Sequence, residues 1–211
     1  MNYQMTRLEQ KIKEIYYELG IYLPHEIDPY HIANEYNVWI YFHDNVSEVY
    51  KRREGTEDLY SMYLDERLSL QEQWQDFCHE FGHVVEHVGN QDKLRKPFKK
   101  LQERQANNFM YHFAVPTFML LNYELANYHG DGITFIIEKF NVTREFAFKR
   151  LEMFRRQLNQ VQMDKQFMEI INNKKVINYC KNIEPKEVPV HAKDIVALAI
   201  SRKLAKEGVS L

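Results

Sequence analysis

Cysteine is scarce in this chain. Two occur in 211 residues, Cys78 and Cys180, too few for a disulfide framework. Long apolar runs are missing as well. No stretch approaches the roughly 18 consecutive apolar residues of a membrane-spanning helix. The opening MNYQMTRLEQKIKEIYYELG reads as a polar amphipathic helix and not as a secretory signal. These absences predict a cytoplasmic protein in a reducing compartment, with no membrane partner. Positive charge is not in excess either: 28 Lys and Arg stand against 30 Asp and Glu. Direct nucleic-acid binding, which needs a basic surface, is therefore not expected. The chain has neither an internal repeat nor a low-complexity tract, and it is long enough for a real core, with 14 Tyr and 13 Phe to fill it.

Against this background one stretch stands out, DFCHEFGHVVEH, from Asp76 to His87. His79 and His83 are four apart, so on a helix they lie one turn above each other on one face. Phe77, Phe81, Val84, Val85 and Val88 supply apolar surface for a largely buried helix. Two imidazoles at this spacing can reach one metal ion. Glu80 can lie beside that ion, where a carboxylate can take a proton from water. This is the H-E-x-x-H arrangement of zincins. Cys78, one helical step from His79, is expected to be a small buried apolar residue. His87 continues the histidine row, but eight residues of helix put it about 12 Å from His79, too far to share one ion. It is expected to act behind the ligands or at the surface near the helix end. The metzincin pattern calls for Gly and His where this chain has Glu86 and Gly89, which excludes that class.

A third ligand has to come from elsewhere. In LQERQANNFMYHFAVP, Leu101 to Pro116, Glu103 and Asn107 are four apart on a second helix. A carboxylate from a separate helix can approach the open side of a two-histidine site, and two His plus one Glu form a catalytic zinc set. Asn107 would then be placed to orient a ligand histidine. Taken alone, Glu103 is more often a solvated helix glutamate than a ligand. His112, nine residues on, should not share its face.

Taken together, these residues resemble the ImmA/IrrE-type metallopeptidases. The chain has His79-Glu80-Phe81-Gly82-His83, then His87, then Glu103, Ala106, Asn107, Phe109 and Pro116 in the places of the family's paired motifs. The resemblance covers roughly residues 5–125. It implies that His79, His83 and Glu103 hold Zn2+ and that Glu80 is the catalytic base. It also implies an α+β fold, with a small zincin-like core of a short sheet plus ligand helices followed by a helical region. The chain departs from the family at Met110, Tyr111 and His112, where small or apolar residues are usual, and in a short spacer between His83 and Glu103.

The element pattern agrees. A helix is expected over 4–19, ended by Gly20, and a short helix after Asp28 and Pro29. Strands are expected at VWIYFHD, EVYKRRE and DLYSMYLDE. Ligand helices follow at about 70–88 and 98–113. We expect a zincin-like metallopeptidase domain over residues 1–130 and a helical region over 131–211. Within the latter, Gly132 to Phe154 forms two apolar-periodic helices joined at Asn141–Thr143. The resemblance implies a helix-turn-helix-like pair ending in Arg150-Leu151, whereas the residues alone favour a helical hairpin packed on the core. An amphipathic helix is expected at about 191–206.

The expected function, from the resemblance, is a cytosolic zinc endopeptidase that cleaves a helix-turn-helix repressor, often one of a phage or other mobile element. The alternative is a zinc-binding regulator that inactivates a repressor without cutting it.

Overall fold

The computed structural model describes residues 3–54, 57–86, 96–123 and 129–172. His87, the spacer after it and the expected helix at 191–206 lie outside the described residues. The architecture is α+β. In chain order it comprises α1 (Arg7–Glu18), a 3-10 turn at Pro24–Glu26, α2 (Pro29–Glu35), β1 (Val38–His43), β2 (Glu48–Glu54) and β3 (Glu57–Asp65). Then come α3 (Leu70–Glu86), α4 (Lys96–Ala114), α5 (Thr117–Leu120), α6 (His129–Phe140) and α7 (Arg144–Asn172). Residues up to Asn159 form one compact unit, and a second unit begins at Gln160. No helix of the described residues is long and apolar enough to cross a membrane.

Local sequence explains where the helices start. Thr6 and Glu9 form a capping box on α1, satisfying two main-chain N–H groups that the first turn cannot. Asp28 caps α2 by accepting from the Tyr30 N–H at 2.9 Å, with Pro29 in the first helical position. Ser69 and Glu72 form the same reciprocal pair at α3, at 2.9 and 3.3 Å. The turn between α6 and α7 passes through Asn141 with a φ of 50°, a left-handed conformation that asparagine tolerates.

The three-stranded sheet has the order β1-β3-β2, with β1 parallel and β2 antiparallel to β3. Alternation puts Val38, Ile40, Met62, Leu64 and Val49 on the face toward the helices. Trp39, Tyr41, Tyr50, Ser61 and Tyr63 occupy the other face. The centre of the core is aromatic. Trp74, Phe77 and Phe81 of α3 stack along the helix, and Phe109 and Phe113 of α4 close on them. Tyr16 of α1 stacks on Phe113 at 4.7 Å and donates its hydroxyl to the Phe113 carbonyl at 2.8 Å. Helices α6 and α7 add Ile133, Ile136, Phe140, Phe146, Leu151 and Phe154 to the same core. Helix α6 lies against the 3-10 turn at Pro24–Glu26, and α7 meets α4 where Phe146 contacts Tyr111.

Arg150 shows how α7 is held. On sequence it counts with the basic residues of a surface, yet it is fully buried. Its Nε donates to the Val115 carbonyl at 3.0 Å and its Nη2 to the Thr117 hydroxyl at 2.7 Å. That hydroxyl donates to buried Glu9 at 2.5 Å, which also accepts from Tyr3 at 2.8 Å and from the Thr6 N–H at 2.8 Å. One hydrogen-bonded chain thus links α1, the start of α5 and α7. Burial tends to raise the Glu9 carboxyl, but the bonds from Thr117, Thr6 and Tyr3 outweigh it and hold Glu9 below its usual range. His112 lies against this group, 4.0 Å from Glu9, with its Nδ1 on the Asn108 carbonyl at 2.9 Å. Burial first, then the Arg150 charge, push its imidazole down to about 4.

These two shifts predict acid sensitivity in two stages. In the folded chain His112 stays neutral below its ordinary value of 6.5, so its contribution is present above 6.5 and drains away between 6.5 and about 4. The Glu9 contribution is present above its ordinary value of 4.5 and is lost as pH falls through its lower folded value. Denaturant midpoints should hold from about pH 8 to about pH 6.5 and fall from there to about pH 4, and His112→Gln should flatten the upper part of that fall only. A wild-type midpoint that holds steady between about pH 7 and about pH 5 would contradict the role given to His112.

Candidate active site

Helix α3 buries Trp74, Phe77, Cys78 and Phe81 against the core, and the spacing of these residues decides where its polar ones emerge. His79 and His83 come out one turn apart, with ring centroids 4.9 Å from each other. Their Nε2 atoms are 3.2 Å apart. From α4, Glu103 Oε2 stands 3.4 Å from the Nε2 of His79 and 3.7 Å from that of His83. The three residues are a group that can hold a metal ion, each offering one ligand atom within 4.8 Å of the others. A tetrahedral ion with bonds of about 2.0–2.1 Å has donor–donor edges of about 3.3–3.4 Å. The separations of 3.2 and 3.4 Å lie close to those edges, and the third, 3.7 Å, is slightly longer. The donor chemistry fits as well, since two imidazole lone pairs and a carboxylate converging on one point repel each other unless a proton or a cation lies between them.

The approach of α4 rests on Gly82. A Cβ at this position would meet Phe109 Cδ1 at 3.1 Å and the Ala106 Cα at 3.4 Å. Ala106 and Phe109 are themselves fully buried. The two helices therefore touch where α3 has no side chain and α4 has a methyl group. Glu103 sits one turn before Ala106 on α4, and His79 and His83 flank Gly82 on α3. Close backbone contact at Gly82 thus brings the carboxylate within reach of both imidazoles.

Glu80 is only 8% exposed. Burial, then the charges of Glu103, Asp76 and Glu48, push its carboxyl up to about 8. The Val49 N–H, which donates to it, works in the opposite sense. A cation among the donors would also oppose the rise. Cys78 is fully buried, as expected of a small apolar residue, and burial raises its thiol far above the usual range. Asn107 is exposed, and its Nδ2 donates to the Glu103 carbonyl at 2.7 Å, within its own helix. His112 lies away from Glu103, among Glu9 and Arg150, as the half-turn offset requires.

Sequence reasoning missed the contribution of β2. Val49 and Glu48 reach the surroundings of Glu80 from a strand about thirty residues earlier in the chain. Ser47 pins the start of that strand. Its hydroxyl donates to Asp76 of α3 at 2.5 Å and accepts the Asp65 N–H at 3.0 Å. Nothing in the local pattern around Ser47 or Val49 signals this, because the contact depends on how the sheet packs against α3.

Comparison with known proteins fits this geometry. A profile of the IrrE N-terminal-like domain, a peptidase family, matches residues 33–152, a span that contains β1 to β3, α3 and α4. The phage-like element PBSX protein XkdA of Bacillus subtilis (strain 168) is 42% identical over 171 residues, covering 81% of this chain and 84% of that protein. The uncharacterized protein YqaB of the same organism is 33% identical over 160 residues, covering 76% and 91%.

The Gly82 contact can be tested directly. Replacing a helix-interior glycine by alanine favours the helix by about 1 kcal/mol, while overpacking a closed core costs about 1–3 kcal/mol. With the neighbouring atom at 3.1 Å, the second effect should win. Gly82→Ala should lower thermal stability and weaken metal uptake measured by titration, and Gly82→Val should do both more severely. Wild-type metal affinity in Gly82→Val would show that α4 can retreat without moving Glu103.

Proposed function

The chain belongs to the IrrE N-terminal-like family of metallopeptidases, and we propose that it is a zinc-dependent endopeptidase that cleaves a helix-turn-helix repressor. The observation that carries this reading is the convergence of His79, His83 and Glu103 from two helices, with the buried carboxyl of Glu80 beside them. A structural zinc site closes itself with four protein ligands, whereas three leave a position open. Zinc held by the two Nε2 atoms and the Glu103 carboxylate would supply Lewis acidity, acidifying a water and polarising the scissile carbonyl.

The remaining work falls to the chain's own groups. Glu80 takes the proton of the attacking water on its carboxylate and passes it to the amine nitrogen that leaves. Its surroundings suit both steps. Burial and neighbouring carboxylates favour the protonated form, and the Val49 N–H favours the ionised one. The proton affinity of Glu80 is thereby kept near neutrality instead of at the usual carboxylate value. The Val49 N–H also fixes the direction of the carboxylate. Among the described residues β2 is an outer strand of the sheet, and its edge main-chain groups other than the Val49 N–H can pair with an extended substrate segment beside Glu80.

The choice of substrate rests on the resemblance to repressor-cleaving peptidases. It is supported by the name of the XkdA relative, which assigns that protein to a phage-like element. The proposed setting is the cytosol, where such a repressor acts.

Purified protein should hold about one zinc ion per chain, as expected for a His-His-Glu donor set, and lose it in His79→Ala, His83→Ala or Glu103→Ala. Full zinc content in Glu103→Ala would move the third ligand elsewhere, with His87 the first residue to test. Glu80→Gln should keep zinc and fold but lose about 10²–10⁴ in turnover, the usual share of a general base. Co-expression with a genetically adjacent repressor, followed by mass spectrometry of that repressor, reads the cut directly. An intact repressor that is nevertheless inactivated would favour sequestration over cleavage.

A further inference from the structure

The outer face of the sheet carries a groove that the proposed chemistry does not use. It has a volume of about 340 Å³ and is lined by His43, Glu48, Tyr50, Arg52, Ser61 and Tyr63. Three of these belong to β2, where Glu48, Tyr50 and Arg52 alternate onto the same face, spaced by about 6.8 Å. Small Ser61, directly opposite Tyr50 on β3, leaves the floor low, and Tyr63, opposite Glu48, meets Tyr50 edge to face at 6.1 Å. Tyr50 is 48% exposed, so much of its ring faces outward.

The position of this row relative to the chemistry is set by Val49. Its N–H reaches Glu80, so the strand passes the proposed base at this residue. Val49 turns its own side chain inward, opposite Met62, and its neighbours Glu48 and Tyr50 therefore point outward on either side of that point. An extended segment lying along the free edge of β2 would set its alternate side chains against Glu48, Tyr50 and Arg52 in turn. The two charged ends of the row have opposite sign. Glu48 is also the end of the row whose charge acts on Glu80, as those of Asp76 and Glu103 do.

Resting on the peptidase reading, we propose that the outer row of β2 selects substrate by charge. Glu48 takes a Lys or Arg side chain close to the scissile bond, the Tyr50 ring takes an apolar or aromatic one, and Arg52 takes an Asp or Glu. The pattern it reads is a basic and an acidic residue four positions apart, on the same side of an extended segment. Tyr50 and Tyr63 strengthen the basic end, because a guanidinium or ammonium group is attracted to an aromatic face. His43, at the rim of the groove, accepts either partner when neutral.

The test uses the full chain loaded with zinc and a mixture of synthetic peptides of equal length, with cut sites read by mass spectrometry. Wild-type cuts should be enriched in sequences carrying a basic residue near the cut and an acidic residue four positions from it, by about fivefold in kcat/KM over the charge-reversed order. The double substitution Glu48→Lys with Arg52→Glu should invert this order. Glu48→Gln with Arg52→Gln should abolish the preference without inverting it. Both pairs lie on an outer strand face, and zinc content and circular dichroism of each variant confirm that it is folded. Cutting without charge preference, or a preference unchanged in the reversed variant, overturns the inference and leaves the peptidase reading standing. A zinc-loaded chain that cuts no peptide and no repressor overturns that reading, and the inference with it.

Discussion

The contact between α3 and α4 at Gly82 is the constraint on which the rest of the site depends. Helices with ordinary side chains at their crossing keep their axes 8–10 Å apart. Here the crossing is made by a glycine on one side and by Ala106 with the Phe109 ring on the other. The close approach lets a short carboxylate side chain reach two imidazoles on the neighbouring helix. The same crossing seats Phe109 among Phe81 and Phe113, so the distance between donors and the packing of the aromatic core are set by one contact. A change that loosened the core would also spread the donors.

A second constraint works from the far side of the molecule. Glu9, Thr117 and Arg150 form a buried polar chain that replaces apolar packing where α1, α5 and α7 meet. Buried charges contribute little net stability against well-packed apolar groups, but removing one partner is costly because the other is left without compensation. The arrangement ties α7 to one docking position, in which Arg150 reaches both the Val115 carbonyl and the Thr117 hydroxyl.

The donor region itself is electrostatically unbalanced. Glu103, Asp76 and Glu48 all raise the carboxyl of Glu80, and the Val49 main-chain N–H opposes them. Clustering carboxylates in one buried place is unfavourable in a bare protein and favourable around a cation. The same excess of negative charge extends along β2 to Glu48, where it meets the groove of the outer sheet face. Charge near the proposed base and charge on the recognition surface are therefore continuous.

Much of this was legible in the sequence, and the reason is local. Residues four apart on a helix must share a face, so His79 and His83 could be paired from their spacing, and nine residues must separate His112 from Glu103. The cap at Asp28 and the strand at Glu48–Glu54 likewise follow from nearest neighbours along the chain. Glu103 was harder. Its spacing allowed a solvated glutamate, and only the paired motif pointed to the histidines. What tertiary structure alone decided was whatever depends on contact between distant segments. Arg150 reads as a surface cation until Glu9, 141 positions earlier by residue number, is placed beneath it. Val49 and Glu48 look like ordinary strand residues until the sheet lies across α3. Spacing determines which side chains share a face of one element, but the partner of that face is chosen by packing, and packing is a property of the whole chain.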